Sequence, residues 1–203
     1  MEPVIPCDLL NYDLIEIKDK GNGYAMFTYS NQTLDGIELK ILIEKGEIRY
    51  DSTYKCVHLM SYEMNLLERN LEEKIHKYKG GDLAKRDERR RKIKINFTPN
   101  SDVTIIYKEE DEDDQNIKKL TKYNKKEKIS YTKMREMLDK GYDIGSGCLV
   151  NIIIKPVISK KSNYVNFDVI YCDIFRKYLP NTGKIYNKLD LLYDIKPRDK
   201  IIL

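Results

Sequence analysis

Tryptophan is absent from this chain of 203 residues, and histidine occurs only twice. Neither His58 nor His76 stands in a recognisable nucleophile setting, so triad catalysis is not expected. Four cysteines, at 7, 56, 148 and 172, form no Cys-x-x-Cys pair and no metal-ligand spacing. Reduced structural thiols in an intracellular protein are the expectation. No apolar run approaches the roughly 18 residues of a membrane-spanning helix. The opening, Met1-Glu2-Pro3-Val4-Ile5-Pro6-Cys7, has neither a basic region nor a long apolar core, which argues against a signal peptide. Lys79-Gly80-Gly81-Asp82 lacks the Gly-Lys-Ser/Thr ending of a phosphate-binding loop and reads as a helix stop. The acidic run Glu109 to Asp114 has no Gly or Asn at calcium-loop spacing. No cofactor is expected.

Charge is abundant and unevenly placed. The 37 basic and 33 acidic residues nearly cancel, to a net charge of +4. From Lys85 to Lys94 there are seven basic residues against Asp87 and Glu88. Glu109 to Asp114 is six consecutive acids, and residues 118 to 128 carry six lysines against one glutamate. The block 109–128 is too polar to bury a face and is expected to be a mobile charged loop.

The longest order signal lies between Gly147 and Phe175. Two runs rich in β-branched and aromatic residues flank Lys160-Lys161-Ser162-Asn163, which predicts a hairpin. By alternation Cys148, Val150, Ile152, Ile154, Pro156 and Ile158 share one apolar face. Leu149, Asn151, Ile153, Lys155 and Val157 share a mixed one, a candidate working surface. Pro156 cannot donate to a ladder, so the strand is expected to lie at an edge or to bulge there.

Before this hairpin the period changes twice. Strands are predicted over Tyr12–Lys18, Tyr24–Ser30 and Ile37–Glu44, with Lys45-Gly46 turning the chain into Glu47–Tyr50 as an antiparallel meander. Met60, Met64, Leu67, Leu71, Ile75 and Tyr78 then recur at helical spacing. A strand Arg91–Phe97 follows, joined by Thr98-Pro99-Asn100-Ser101 to Val103–Tyr107 as a second hairpin. Ser130 is a predicted helix cap, with Ile129 and Met134 as a hydrophobic staple and Gly141 as the stop. The expected fold is α+β, mainly β: one domain over 1–203 with an antiparallel, oligonucleotide-binding-like (OB) barrel over roughly 12–175, flanking helices, and a C-terminal extension 176–203.

Basic residues interleave with aromatics on these strands. Arg90, Lys92 and Lys94 share a strand face. Lys155 lies on the mixed face of the long hairpin, Lys160 and Lys161 at its tip, and Tyr164, Phe167 and Tyr171 follow. Tyr24, Phe27 and Tyr29 stand on an early strand. A basic groove follows phosphates, and flat rings stack unpaired bases of any sequence. Against this, a lysine-rich face is commonly just solvated surface, and strand aromatics commonly pack as core or cross-strand pairs.

The stretch 60–175 resembles, loosely, the OB-fold single-stranded-DNA-binding proteins of nucleocytoplasmic large DNA viruses. The resemblance rests on the charged helix, the basic strand Arg90-Arg91-Lys92-Ile93-Lys94-Ile95-Asn96, the charged loop, the short helix and the strand Cys148-Leu149-Val150-Asn151-Ile152. It implies a non-enzymatic, largely sequence-independent single-stranded-DNA-binding protein of replication, recombination or repair, in the host cytoplasm or nucleus of a viral infection. RNA is a second possible ligand, self-association is compatible, and no membrane is involved. The Arg90–Lys94 face and the Lys155–Tyr171 hairpin would line the groove, with the acids 109–114 competing for it as a phosphate mimic. Two other readings are a structural or interaction protein, such as a minor virion or scaffold component, and a metal-dependent nuclease. The second would use Glu38 and Lys40, in Glu38-Leu39-Lys40, with Asp35 as a partner carboxylate.

Overall fold

A computed structural model of the chain describes residues 3–21, 24–61, 63–80, 92–108, 123–139, 146–158 and 164–176. Its strands are β1 (Ile5–Pro6), β2 (Ile15–Gly21), β3 (Tyr24–Tyr29), β4 (Ile37–Glu38), β5 (Ile41–Asp51), β6 (Cys56–Met60), β7 (Lys92–Asn96), β8 (Asp102–Lys108), β9 (Tyr123–Ile129), β10 (Ser146–Ile158) and β11 (Val165–Arg176). Helix α1 (Met64–Lys79) follows β6, and α2 (Tyr131–Asp139) precedes β10.

The strands form a closed barrel with two wings. β5 pairs with β6, β6 with β7, β7 with β11, β11 with β10, and β10 returns to β5. The expectation of an antiparallel barrel needs correction here. A ring of five strands cannot alternate direction all the way round, so one neighbouring pair must be parallel. That pair is β7 and β11, in register at Phe167↔Ile95 and Asp168↔Asn96. The fold is mainly β, its sheet is mixed, and its barrel is closed.

The hairpin β10–β11 organises the whole sheet. Its strands run 13 and 12 residues, longer than the ring needs. The first half of β10 pairs with β5, and its far end meets β3 at Val157↔Met26, joining the wing β2–β3–β4. The first half of β11 pairs with β7, and its second half runs parallel to β8, joining the wing β8–β9. Pro156 falls between the last β5 partner, Ile154, and the β3 partner, Val157, so its missing N–H costs no ladder bond to either. The predicted inner face is buried throughout: Cys148, Val150, Ile152, Ile154, Pro156 and Ile158.

Three connections differ from the sequence reading. Lys45-Gly46 is a bulge within β5 and not a turn. The register against β10 slips between Val150↔Gly46 and Ile152↔Ile43, Lys45 takes φ 54°, and its N–H donates to the buried Asn151 side chain at 3.1 Å. A Cβ on Gly46 would stand 2.9 Å from a terminal methyl of the buried Leu59, which would have to shift to admit it. The turn Thr98–Ser101 forms, but β7 and β8 do not pair with each other. Both run parallel to β11, and the turn is a jog between them. There the Ser101 hydroxyl donates to the Val169 carbonyl at 2.6 Å and accepts the Thr98 N–H at 2.9 Å. Finally, the expected mobile loop 109–128 is too long. Residues 123–128 belong to β9, a wing strand whose Lys126 and Lys128 are exposed. Residues 109–122 lie outside the described ones, as do the predicted stop at Gly141 and the extension beyond Arg176.

The core fills the ring and the spaces beneath both helices. Of the predicted helical face, Met64, Leu67, Leu71 and Ile75 are fully buried on α1, which packs on β2, β7 and β11; Met60 belongs instead to β6, and Tyr78 in the last turn is 44% exposed. Gly80, at φ 72°, ends it by donating to the His76 carbonyl. Helix α2 is capped by the Ser130 hydroxyl, which accepts the Lys133 N–H at 3.2 Å, and Ile129, Met134 and Leu138 join the core. Cys7, Cys148 and Cys172 are buried free thiols and Cys56 is half-buried. Desolvation, reinforced by Glu63, pushes the Cys7 thiol up to about 12. Among the described residues no helix is long and apolar enough to cross a membrane.

Candidate functional site

The outer wall of β5, β6 and β7 carries a set of aligned polar side chains. Val57 and Leu59 point inward on β6, which turns Cys56, His58 and Met60 outward. Ile93 and Ile95 do the same on β7 and turn Lys92 and Lys94 into solvent. Pairing then sets rows across the three strands. Arg49 stands opposite His58, and His58 opposite Lys94. One row along, Glu47 stands opposite Met60, and Met60 opposite Lys92. Side chains directly opposite each other lie about 5 Å apart at Cβ, so each row is continuous.

Acids partly balance this wall. Glu47 holds the Arg49 Nε at 2.6 Å, an exposed pair of little net worth. Asp51 opens the β5–β6 turn and accepts the Thr53 and Tyr54 N–H groups at 3.0 and 3.1 Å. That turn holds Tyr54 at the barrel rim, 78% exposed, with exposed Lys55 beside it at φ 48°. The Cys56 Sγ lies 3.8 Å from the His58 Nε2, since alternate residues of one strand share a face. The sequence reading missed Arg49, Tyr54 and His58. The alternation of Val57 and Leu59 is a sequence signal that places His58 outward on β6.

The residues expected to form the site are only partly brought together. Lys92 and Lys94 are exposed on the wall, as predicted. Arg90, Lys160 and Lys161 lie outside the described residues. Lys155 points outward on β10 but does not join the two lysines: Asp168 faces it from β11, Asn96 stands beyond that, and its ammonium lies 3.7 Å from Glu38. Tyr164, at the start of β11, is 44% exposed. Phe167 is not a stacking surface: it is 1% exposed inside the barrel, facing inward by the same alternation that turns Asp168 out. Tyr171 also leaves the site. A register slip in the β10–β11 ladder carries it beyond β7 to face Asp102 of β8, where its half-buried hydroxyl donates to Asp173 at 2.6 Å. Desolvation, then that hydrogen bond and the surrounding carboxylates, hold its pKa far above the usual phenol value. The carboxylates there are engaged locally: Asp173 accepts from Tyr171, and Asp102 pairs with the Lys128 ammonium at 2.8 Å. On the early strand Phe27 and Tyr29 are core residues.

Glu38 of the nuclease reading faces Lys155 across the β4 side. Among the described residues no three His, Cys, Asp or Glu side chains cluster closely enough to hold a metal ion. Comparison with family models, with curated protein sequences and with solved structures returns no match for the chain.

Proposed function

We propose that this protein binds single-stranded DNA, without strong sequence preference, along the outer wall of β5, β6 and β7. The observation that carries the reading is the row Arg49–His58–Lys94 on three adjacent strands, with Lys92 beside it and exposed Tyr54 at the rim. Cations of this kind follow a phosphate chain, and an exposed ring stacks a base at roughly 1–3 kcal/mol.

The barrel's connectivity supports the same reading. Numbered within the ring, β5, β6, β7, β10 and β11 are strands one to five, and the ring order is one, two, three, five, four. Oligonucleotide-binding barrels are five-stranded Greek keys that use strands two and three, and the loops joining one to two and four to five. Here those strands are β6 and β7, the first loop carries Tyr54 and Lys55, and the second leads into Tyr164. The tract therefore runs over β6 and β7 between two exposed tyrosines, and not over the hairpin face of Lys155, Phe167 and Tyr171.

Fluorescence anisotropy with a labelled oligothymidylate at low salt tests the reading. Saturable binding that weakens steeply with salt is expected. No binding at low salt would refute it and leave an interaction protein as the better account. Incubation of labelled DNA with Mg²⁺ tests the nuclease reading, which requires product formation that a Glu38→Ala variant abolishes.

A further inference from the structure

An exposed ring stacks a base well only if it is already held in place, because ordering it on binding costs affinity. Tyr54 is 78% exposed, so its direction is set by the backbone of the turn that carries it. Asp51 pairs with Cys56 across the β5–β6 ladder, which leaves Ser52 to Lys55 as that turn. All of these turn residues are exposed, so burial does little to shape them.

Two local features shape the turn instead. At its entry the Asp51 Oδ1 accepts the Thr53 N–H at 3.0 Å and the Tyr54 N–H at 3.1 Å. The second of these amides adjoins the Cα that aims the ring. At the exit Lys55 takes φ 48°, a left-handed conformation that an L residue adopts at a cost. The carboxylate closes the first half of the turn, and Lys55 then leads the chain back into β6. An ionised acceptor makes the stronger hydrogen bond to an amide, and an aspartate is a common anchor of such turns.

We infer that Asp51 is a positioning residue of the proposed tract: its carboxylate fixes the β5–β6 turn and so presents Tyr54 to an incoming base. The inference rests on the proposed function and adds to it a residue that never touches the strand. Its sign can be tested, because the carboxylate has two opposed effects. Asp51 lies two residues from Arg49 on β5, and as an anion near the tract it repels phosphate. Removing the charge alone should therefore tighten binding. Removing the acceptor should weaken it, because the ring is released.

Asparagine separates the two effects, since its side-chain oxygen still accepts but carries no charge. The experiment is an anisotropy titration of labelled oligothymidylate at low salt with the wild type, Asp51→Asn, Asp51→Ala, Tyr54→Ala and Asp51→Ala/Tyr54→Ala, with circular dichroism as the check on folding. Asp51→Asn should bind as tightly as the wild type or more tightly. Asp51→Ala should bind at least about fivefold more weakly, the lower end of what one stacked ring contributes. The loss should vanish in the Tyr54→Ala background, as expected of coupled residues. Should Asp51→Ala not fold, Asp51→Gln, whose longer side chain displaces the acceptor, takes its place with the same outcomes.

A second readout needs no DNA. The chain has no tryptophan, so Tyr54→Trp puts a single indole at the rim. Its time-resolved fluorescence anisotropy should report a restrained ring with Asp51 or Asp51→Asn, and a freer one with Asp51→Ala. Equal or tighter binding by a folded Asp51→Ala, a loss that Asp51→Asn shares, a loss that persists without Tyr54, or an indole equally free in all three backgrounds overturns this inference and leaves the proposed function standing. Absence of binding by the wild type at low salt overturns both.

Discussion

Replacing Lys92 and Lys94 together by alanine separates the proposed interface from a solvated surface. Both side chains project from β7 into solvent, so their removal should change stability by no more than about 0.5 kcal/mol. The effect on binding should be large and of a particular kind. Each phosphate neutralised on a single strand contributes about −0.7 to the slope of log affinity against log salt. A tract that neutralises about five phosphates gives a slope near −3.5, and loss of two contacts brings it to about −2.1. Raising salt from about 50 to about 200 mM should therefore cost the wild type about 130-fold in affinity and the double variant only about 20-fold. The assay is anisotropy of a labelled oligothymidylate across a salt series, with urea denaturation as the check on folding. A folded double variant with wild-type affinity and wild-type slope would refute the assignment of this wall.

Other consequences follow from single residues. Tyr54→Ala should weaken oligothymidylate binding by about 5- to 150-fold, the equivalent of about 1–3 kcal/mol, with the salt slope unchanged because no cation is lost. Phe167→Ala should cost about 3–5 kcal/mol in urea denaturation, since the ring fills the barrel interior. Ser101→Ala should cost about 1–3 kcal/mol in the same measurement, because it leaves the buried Val169 carbonyl and the Thr98 amide without their partner. In alkali the fold should weaken. Burial raises the Cys7 thiol from 9.0 to about 12 and the Tyr12 phenol from 10.0 to about 12. The native state therefore keeps protons that the unfolded chain releases. Stability should be intact below about pH 9 and fall as pH climbs toward 12, less steeply in a Cys7→Ala variant, as followed by circular dichroism.

Where one physical cause decides a feature, the chain could be read directly. The inner face of β10, the buried stripe of α1, the Ser130 cap and the exposure of Lys92 and Lys94 all follow from period and capping chemistry. Features that depend on a distant partner were not legible. Lys45-Gly46 carries the residues of a turn, but the Asn151 side chain and the β10 ladder hold it as a bulge. Thr98–Ser101 forms the turn its residues suggest. Whether the next strand then folds back or runs on is decided by β11, far along the chain. The lysines of β9 hid a strand whose partner is β8. The same limit governed the site. Phe167 and Tyr171 sit four residues apart and would share a face on a regular strand. The first is turned into the core, and the slip in the β10–β11 ladder carries the second to Asp102 and Asp173, beside β8. Arg49 and His58 are paired by the local β5–β6 hairpin, and Lys94 joins their row only through the β6–β7 ladder, whose strands are separated in the chain by α1.

The most direct measurement is a titration of isotopically labelled protein with oligothymidylate, followed by backbone and histidine-ring NMR shifts. The account predicts the largest changes at Arg49, Tyr54 to Met60 and Lys92 to Asn96, with Tyr171 and the β8–β9 wing unmoved. Shifts confined to that wing or to the Lys155 face, or no shifts at low salt, would contradict it.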